Sequence, residues 1–350
     1  MLVISYTFST ITLLFTNFHF SLYSRHMYIL AFETSCDDTS VAIMQDDVCI
    51  ALSTRTQLEH DLTGGVVPEV AARSHANAIF PCIDDVLGEA KIALDQIDVF
   101  ACTDQPGLAP SLMTGLVVAD TLALSTGKPV LRINHIESHI FANFLERTQS
   151  DIIFPAVVLT VSGGHTELYL WKSIYDMEMI GQTHDDAAGE CFDKVAKLMW
   201  LWFPGWKKIA NLAEKYTGEY HGIFPLVLLE KDSLDFSFSG LKSAVKRYID
   251  ILIKTPDWLT EEKKIKIAFE FEEVVTDILA KKLQRALEQK NALMMILAGG
   301  VSANNKLNNK IQKIADSLNI PFLAPKKIIY SMDNAAMVGM RAFYEYQRNV

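Results

Sequence analysis

His135 and His139 stand four residues apart in NHIESHIFANFL, directly after the strand-like run PVLRI. On a helix that spacing places both imidazoles on one face, where two ring nitrogens can share a divalent metal. Paired histidines on helices also serve only to satisfy hydrogen bonds, so the spacing leaves both readings open. The zinc-peptidase signature H-E-x-x-H requires glutamate immediately after the first histidine. Here Glu137 comes second and points off the shared face, which weakens a peptidase reading. A catalytic metal usually takes three protein ligands and keeps a further position open, so a carboxylate has to complete the set. Asp333, in YSMDNAAMVG, follows a Pro-containing loop and opens an Ala-rich helix; it offers that carboxylate and equally reads as a helix N-cap. Four more carboxylates, Asp185, Asp186, Glu190 and Asp193, crowd into HDDAAGECFDK, which costs free energy unless water, a metal or ligand hydroxyls offset the repulsion. A solvated acidic turn is the plain alternative. The passage DFSFSGLKSAV gathers Ser237, Ser239 and Gly240 at a loop-to-helix junction, to which spacing alone assigns no role.

The elements that must position these residues begin with two segments that read alike, YILAFETSCDDTSVAIM (28–44) and AVVLTVSGGHTELYLW (156–171). Each is a β-rich apolar run, a small polar turn and a second β-rich run, the pattern of a strand-turn-strand hairpin. Their turns hold Thr34, Ser35, Asp37 and Thr39 in one, and Ser162, Gly163, Gly164 and Thr166 in the other, offering hydroxyls and open backbone amides to an anion. Two such hairpins, about 128 residues apart, indicate a duplicated unit whose halves face a shared cleft, unlike a single Rossmann unit. A third glycine turn lies in ILAGGVSANNKL, where a buried strand ends at Gly299 and Gly300 and Ser302 is placed to cap the next helix. Helical spacing of apolar residues runs over 68–87, 112–126 and 261–289. Pro129, Pro155, Pro204, Pro225 and Pro321 punctuate the connections, and no low-complexity linker separates the halves, so they should pack as one body with a hinge.

At 350 residues, half of them apolar, the chain suffices for two domains with their own cores. A net charge of -10 excludes a protein whose whole surface grips nucleic acid. The charge is uneven, however: residues 241–350 sum to +6 and residues 1–240 to -16, so an RNA backbone or a basic partner would meet different ends of the molecule. Five widely spaced cysteines without a CxxC pair suit a reducing compartment, here the cytoplasm, or the mitochondrion for a eukaryotic source. No stretch reaches about 18 uninterrupted apolar residues, which weighs against a membrane-spanning helix. Residues 1–26 carry no acid, eight Ser or Thr and one arginine, Arg25, a poor targeting sequence; translation is expected to begin at Met27, with 1–26 an extension outside the fold.

Eight blocks in order, ETSCDDTSVAI, GGVVPEVAARSH, HIESH, VSGGHTEL, DDAAGECFDKVAKL, DFSFSGLKSAV, AGGVSANNKL and DNAAM, resemble those of the TsaD family, the tRNA N6-adenosine threonylcarbamoyltransferases once described as O-sialoglycoprotein endopeptidases. The resemblance covers about Tyr28 to Tyr346. It implies an α/β, actin-like fold of two ribonuclease-H-like domains with a nucleotide between them. Residues 27–134 and 334–350 would form the N-terminal subdomain and 135–333 the C-terminal one. It also implies that His135, His139 and Asp333 ligate one metal, iron(II) or alternatively zinc. By the same carry-over, Thr160, Val161, Ser162, Gly163 and Gly164 contact the substrate phosphate region, Asp193 its ribose and Asn304 its nucleotide portion. The implied donor is threonylcarbamoyl-AMP and the acceptor the adenine 3′ of the anticodon of tRNA. TsaB-like and TsaE-like proteins are the implied partners, with no membrane involved. No residue is singled out as the general base.

This copy departs from the family pattern in places. QPGLAPS stands at 105–111 where relatives commonly show GPGL, Leu226 lies in FPLV where FPRP is common, and Trp200 and Trp202 replace small residues. Trp206 occupies the place of a glycine that touches the nucleotide; a flat indole there can stack on adenine instead. Three other readings remain: a metallopeptidase with a glutamate base beside the metal, an actin-like sugar kinase or ATPase, and a non-catalytic partner-binding paralogue. ETSCDD lacks the DxGT-type turn of such kinases, and the His–His–Asp set counts against the paralogue.

Overall fold

In the strand Tyr28–Glu33 (β1), Leu30 and Phe32 point to one apolar cluster while Ile29 and Ala31 point to another, as successive side chains of a strand must. A strand with both faces buried has to lie centrally in its sheet, and β1 does. The computed structural model describes residues 26–57, 66–201, 204–226, 232–255 and 260–349, so the expected extension (but for His26) and Trp202 lie outside the described residues. From β1 the chain turns back antiparallel into Asp38–Gln45 (β2) and Val48–Thr56 (β3). It then passes through a helix, Pro68–Ala90 (α1), to Val99–Gln105 (β4), a second helix, Ala109–Thr126 (α2), and Val130–Asn134 (β5). The sheet order is β3-β2-β1-β4-β5, with β1, β4 and β5 parallel. Helices α1 and α2 cover its outer face, through Ile79, Cys82, Val86 and Ala119 against Phe32, Ile43 and Phe100. Although α2 is long and apolar enough to cross a membrane, it packs here on α1 and β4.

After the short helix His135–Phe141 (α3), the plan repeats: Ala156–Val161 (β6), Thr166–Ser173 (β7) and Asp176–Gln182 (β8) meander antiparallel. Helices follow at Ala188–Leu198 (α4), Gly205–Ala213 (α5), Ser239–Leu252 (α6) and Glu261–Lys290 (α7). Met294–Ala298 (β9), helix Asn305–Leu318 (α8) and Phe322–Leu323 (β10) complete the sheet β10-β9-β6-β7-β8, again parallel on one side of its central strand. The two sheets therefore have one topology, as the paired hairpins led us to expect. Val157, Leu159 and Val161 face the helices of their own unit, whereas Ala156 and Val158 share a cluster with Ile29, Ala31 and Ile296 in the middle of the molecule.

The chain ends with Ile328–Ser331 (α9) and Ala335–Asn349 (α10). Helix α10 returns to the first sheet, and Ala335, Met337, Val338 and Met340 are buried in the middle cluster. Its approach is close: a Cβ on Gly339 would lie 2.5 Å from Met44 Cγ. Helices α3 and α10 thus fill the space between the sheets, and the shared cluster makes the two units one body. The Ser302 expectation is corrected: Asn304 caps α8, accepting from Leu307 N at 2.9 Å, and Ser302 Oγ donates to Ser331 Oγ at 2.9 Å. Gly299 leaves β9 at φ +86°, and the intervening 3-10 turn puts residue 304, rather than 302, at the helix start.

Candidate metal centre and interdomain cleft

Strand β5 ends at Asn134, whose Oδ1 accepts from Ile136 N and Glu137 N, so a capped short helix starts at His135. The i, i+4 spacing then brings the imidazoles of His135 and His139 together edge to face, with ring centroids 4.6 Å apart. Asp333 arrives from the far end of the chain, with Oδ1 3.1 Å from His139 Nε2 and 3.7 Å from His135 Nε2. Ligand atoms of all three lie within 4.8 Å of one another. Asp333 is not the helix cap of the alternative reading: Asn334 performs that task, accepting from Met337 N at 3.0 Å, and leaves the aspartate to face the histidines.

His139 is fully buried, yet neither ring nitrogen completes a hydrogen bond, although Nε2 is near Asp333. An orphaned buried imidazole is costly, and a cation between its Nε2, His135 and Asp333 would give that nitrogen a partner. The residues therefore fit a divalent ion. His135 is oriented for it from behind, since its Nδ1 lies 3.0 Å from Glu33 Oε2 and leaves Nε2 toward Asp333. Glu33 also accepts from Ser35 N and Thr103 Oγ1, both at 2.6 Å, so both its oxygens are engaged. Burial alone would raise the Glu33 carboxyl, but the His135 ring holds it below the usual range. For His135, burial is outweighed by Glu33 and Asp333, which lift it to about 9; for Asp333, burial is outweighed by the imidazoles, which hold it near about 2. Glu137 is turned away, 2.7 Å from Arg341 Nε of α10, so it supplies no base beside the set.

The centre opens into a cleft of about 1170 Å³ between the two units. One wall carries the first hairpin turn, with Ser35, Cys36, Asp37 and Asp38, and the adjoining Gly107 turn. Gly107 is required there: a Cβ would meet Ser35 O at 2.8 Å. The opposite wall carries the second hairpin turn. Ser162 N bonds His165 O at 2.9 Å and His165 N bonds Ser162 Oγ at 3.2 Å, a closed turn that leaves Gly163 and Gly164 exposed with open space about them. Such free amides suit an anion. Asp193 of α4 reaches the cleft with Oδ1 accepting from Gly205 N at 2.6 Å; burial first, despite that bond, lifts its carboxyl to about 6. Asn304 lies deeper, donating to Glu272 Oε1 at 2.7 Å. Trp206, in the first turn of α5, also lines the cleft, half-buried against the core of its unit.

Ser162, Gly163, Gly164, Asp193, Asn304, Trp206, His135 and Asp333 are thus brought to one cleft. Thr160 and Val161 lie behind the turn in β6, fully buried, and Thr160 Oγ1 has no hydrogen-bond partner. The other acids of the crowded turn are dispersed: Asp185 takes Ser237 Oγ, Ser239 Oγ and two backbone amides, while Asp186 pairs with Lys194 and Lys242. That gives DFSFSG its role, fixing the start of α6. Gln105 and Leu226 do not line the cleft, and Trp200 is 72% exposed outside it. The sequence reading missed Glu33 and His165. Glu33 had a signal, an acid inside an apolar strand, which burial obliges to find partners. His165 lines the cleft and is pushed down to about 4 by burial and then by His135 and His139.

The profile of the family described as TsaD, tRNA N6-adenosine threonylcarbamoyltransferase, matches residues 49–340. A protein of that name from Desulfotalea psychrophila is 41% identical over 332 residues, covering 93% of this chain and 95% of the relative. Among solved structures, component A of (R)-2-hydroxyglutaryl-CoA dehydratase from Acidaminococcus fermentans superposes with a TM-score of 0.53 at 14% identity, over 92% of this chain and 99% of that one. Full-length HypF gives 0.58 at 12% identity, over 92% of this chain and 46% of the longer protein. At such identities these neighbours speak for the fold alone, which is actin-like. The family match over residues 49–340 and the 41% identity to a full-length relative show that this chain belongs to the TsaD family of tRNA N6-adenosine threonylcarbamoyltransferases.

Proposed function

We propose that the chain transfers the threonylcarbamoyl group of threonylcarbamoyl-AMP to N6 of the adenine 3′ of the anticodon, in tRNAs that read codons beginning with A. The observation that carries this is the meeting of the His–His–Asp set and the open glycine turn in one cleft of a family member. The exocyclic nitrogen forms a bond to the carbamoyl carbon, the bond from that carbon to the phosphate oxygen breaks, AMP leaves, and the amine releases one proton. The amides of Gly163 and Gly164 are the fitting donors to the phosphate, where charge grows as AMP departs. Asp193 and Asn304 orient the nucleoside, and Trp206 offers its ring to a purine. His135, His139 and Asp333 would hold one divalent ion, iron(II) or zinc, which supplies Lewis acidity toward the carbamoyl oxygen. Glu33 fixes the tautomer and direction of His135. The acceptor adenine lies in a single-stranded loop, so splaying it into the cleft melts no duplex. TsaB-like and TsaE-like subunits belong to this reading, in a reducing compartment that suits five free cysteines.

The test is complementation of cells lacking their own transferase, with cognate partner subunits, followed by mass spectrometry of tRNA nucleosides. Threonylcarbamoyladenosine should reappear with the native chain and fall sharply with Trp206→Gly. Absence of the nucleoside with the native chain would overturn the reading.

A further inference from the structure

Most large apolar side chains that are more than a third exposed lie on the outer surface, but Ile328 also lines the cleft; among the described residues no other does both. It is 71% exposed, and Met332 and Asp333 line the wall beside it. This is not a loose segment. Tyr330 is buried and its hydroxyl donates to Glu146 Oε1 at 2.9 Å, while Lys327 pairs with the same carboxylate. Ser331 accepts from Ser302, and Asn334 Nδ2 donates to the carbonyls of Ile329 and Met332 at 3.1 and 2.8 Å. Arg147 Nη2 holds Ala324 O at 2.6 Å at the start of the segment. The fold therefore fixes a bare isoleucine on the lining of the cleft that His135 and Asp333 also reach. Unlike most exposed apolar residues, it is rigidly presented toward a site.

Resting on the transfer reading above, we propose that Ile328 is a wedge for the anticodon loop: it enters the stacking gap that opens when the acceptor adenine swings into the cleft. Apolar side chains fill such gaps in deformed nucleic acid, because the exposed base faces are apolar and stacking there tolerates any base. The cleft offers this occupant cations, beside seven acidic residues that also line it. Lys207, Lys208 and Lys313 line it without an ion-pair partner among the described residues, whereas Lys326 and Lys327, which precede the isoleucine, are both held by Glu146. A loop of RNA brings the phosphates that such cations attract.

The experiment uses the full chain with metal and cognate partners, an anticodon stem-loop RNA, and 2-aminopurine in place of the base 3′ to the acceptor adenine. Native protein should modify the RNA and raise the reporter fluorescence as stacking is lost. Ile328→Ala should raise KM for the RNA about tenfold and at least halve the fluorescence rise at saturation, with KM for threonylcarbamoyl-AMP within about twofold, as suits loss of one stacked contact. Ile328→Met should behave as the native chain. Being exposed, the position tolerates both changes without loss of fold. Unchanged RNA kinetics in Ile328→Ala would overturn the wedge while leaving the transfer reading intact. A rise in KM for the donor instead would assign Ile328 to the adenylate and overturn it equally. If the native chain modifies no RNA, the transfer reading and the wedge fall together.

Discussion

His139 illustrates what one residue contributes when its surroundings are incomplete without a ligand. Both of its nitrogens are buried and lack a hydrogen bond, so His139→Ala should remove stoichiometric metal and transfer activity and leave circular dichroism unchanged, as read by metal analysis of the purified protein. Asp193 gives a pH signature. Its carboxyl sits at about 6 in the folded chain against an ordinary 3.8, so between these values the folded state holds a proton that the unfolded state has released. Stability from this group therefore falls as pH rises through that window, and the penalty is complete above about 6. Chemical denaturation of Asp193→Asn should show the variant gaining on the native chain from pH 4 to pH 6, roughly, and a constant difference above. Spacing alone placed the histidines on one helix face but left their use open; Asp333 stayed ambiguous, because separation along the chain hides a third donor and a helix cap uses the same residue type. Glu33 stayed hidden for a related reason, since a buried acid announces a need for partners but not their identity.

At the level of elements, local rules served well where one rule acts and failed where two compete. The hairpins 28–45 and 156–173 were legible from apolar alternation and small polar turns, and their equivalence gave the duplicated sheet. The cap of α8 was misread because Ser302 and Asn304 are both good caps, and the choice lay in the φ of Gly299 and in a hydroxyl partner on α9. The junction between α4 and α5 is tighter than sequence discloses. A Cβ on Gly205 would lie 2.6 Å from both Asp193 Cα and Phe192 O, backbone atoms that cannot yield cheaply. Gly205→Ala should therefore cost about 1–3 kcal/mol of stability, measured by denaturant titration. Gly163→Ala meets nothing within 4 Å and should leave stability within about 0.5 kcal/mol while weakening adenylate binding, measured by calorimetry. Similar behaviour of the two variants would remove the distinction between a packing glycine and an anion-facing one.

Across the whole molecule, the middle cluster is what periodicity could not reveal, because it is assembled from single faces of strands in two sheets and from a helix at the end of the chain. The twin cores could be anticipated, but the shared one depends on which faces meet. Ending the chain after Asn334 should therefore abolish cooperative unfolding rather than shave the melting temperature, as calorimetry would show, since Met337, Val338 and Met340 are fully or almost fully buried against the first sheet and Arg341 anchors Glu137 of α3. The same arrangement bears on how the protein is made. Asp333 and the helix after it leave the ribosome long after the two histidines have emerged. The three donors therefore cannot meet until almost all of both units has emerged. A chain stopped anywhere between His139 and Asp333 carries both histidines without the carboxylate that faces them.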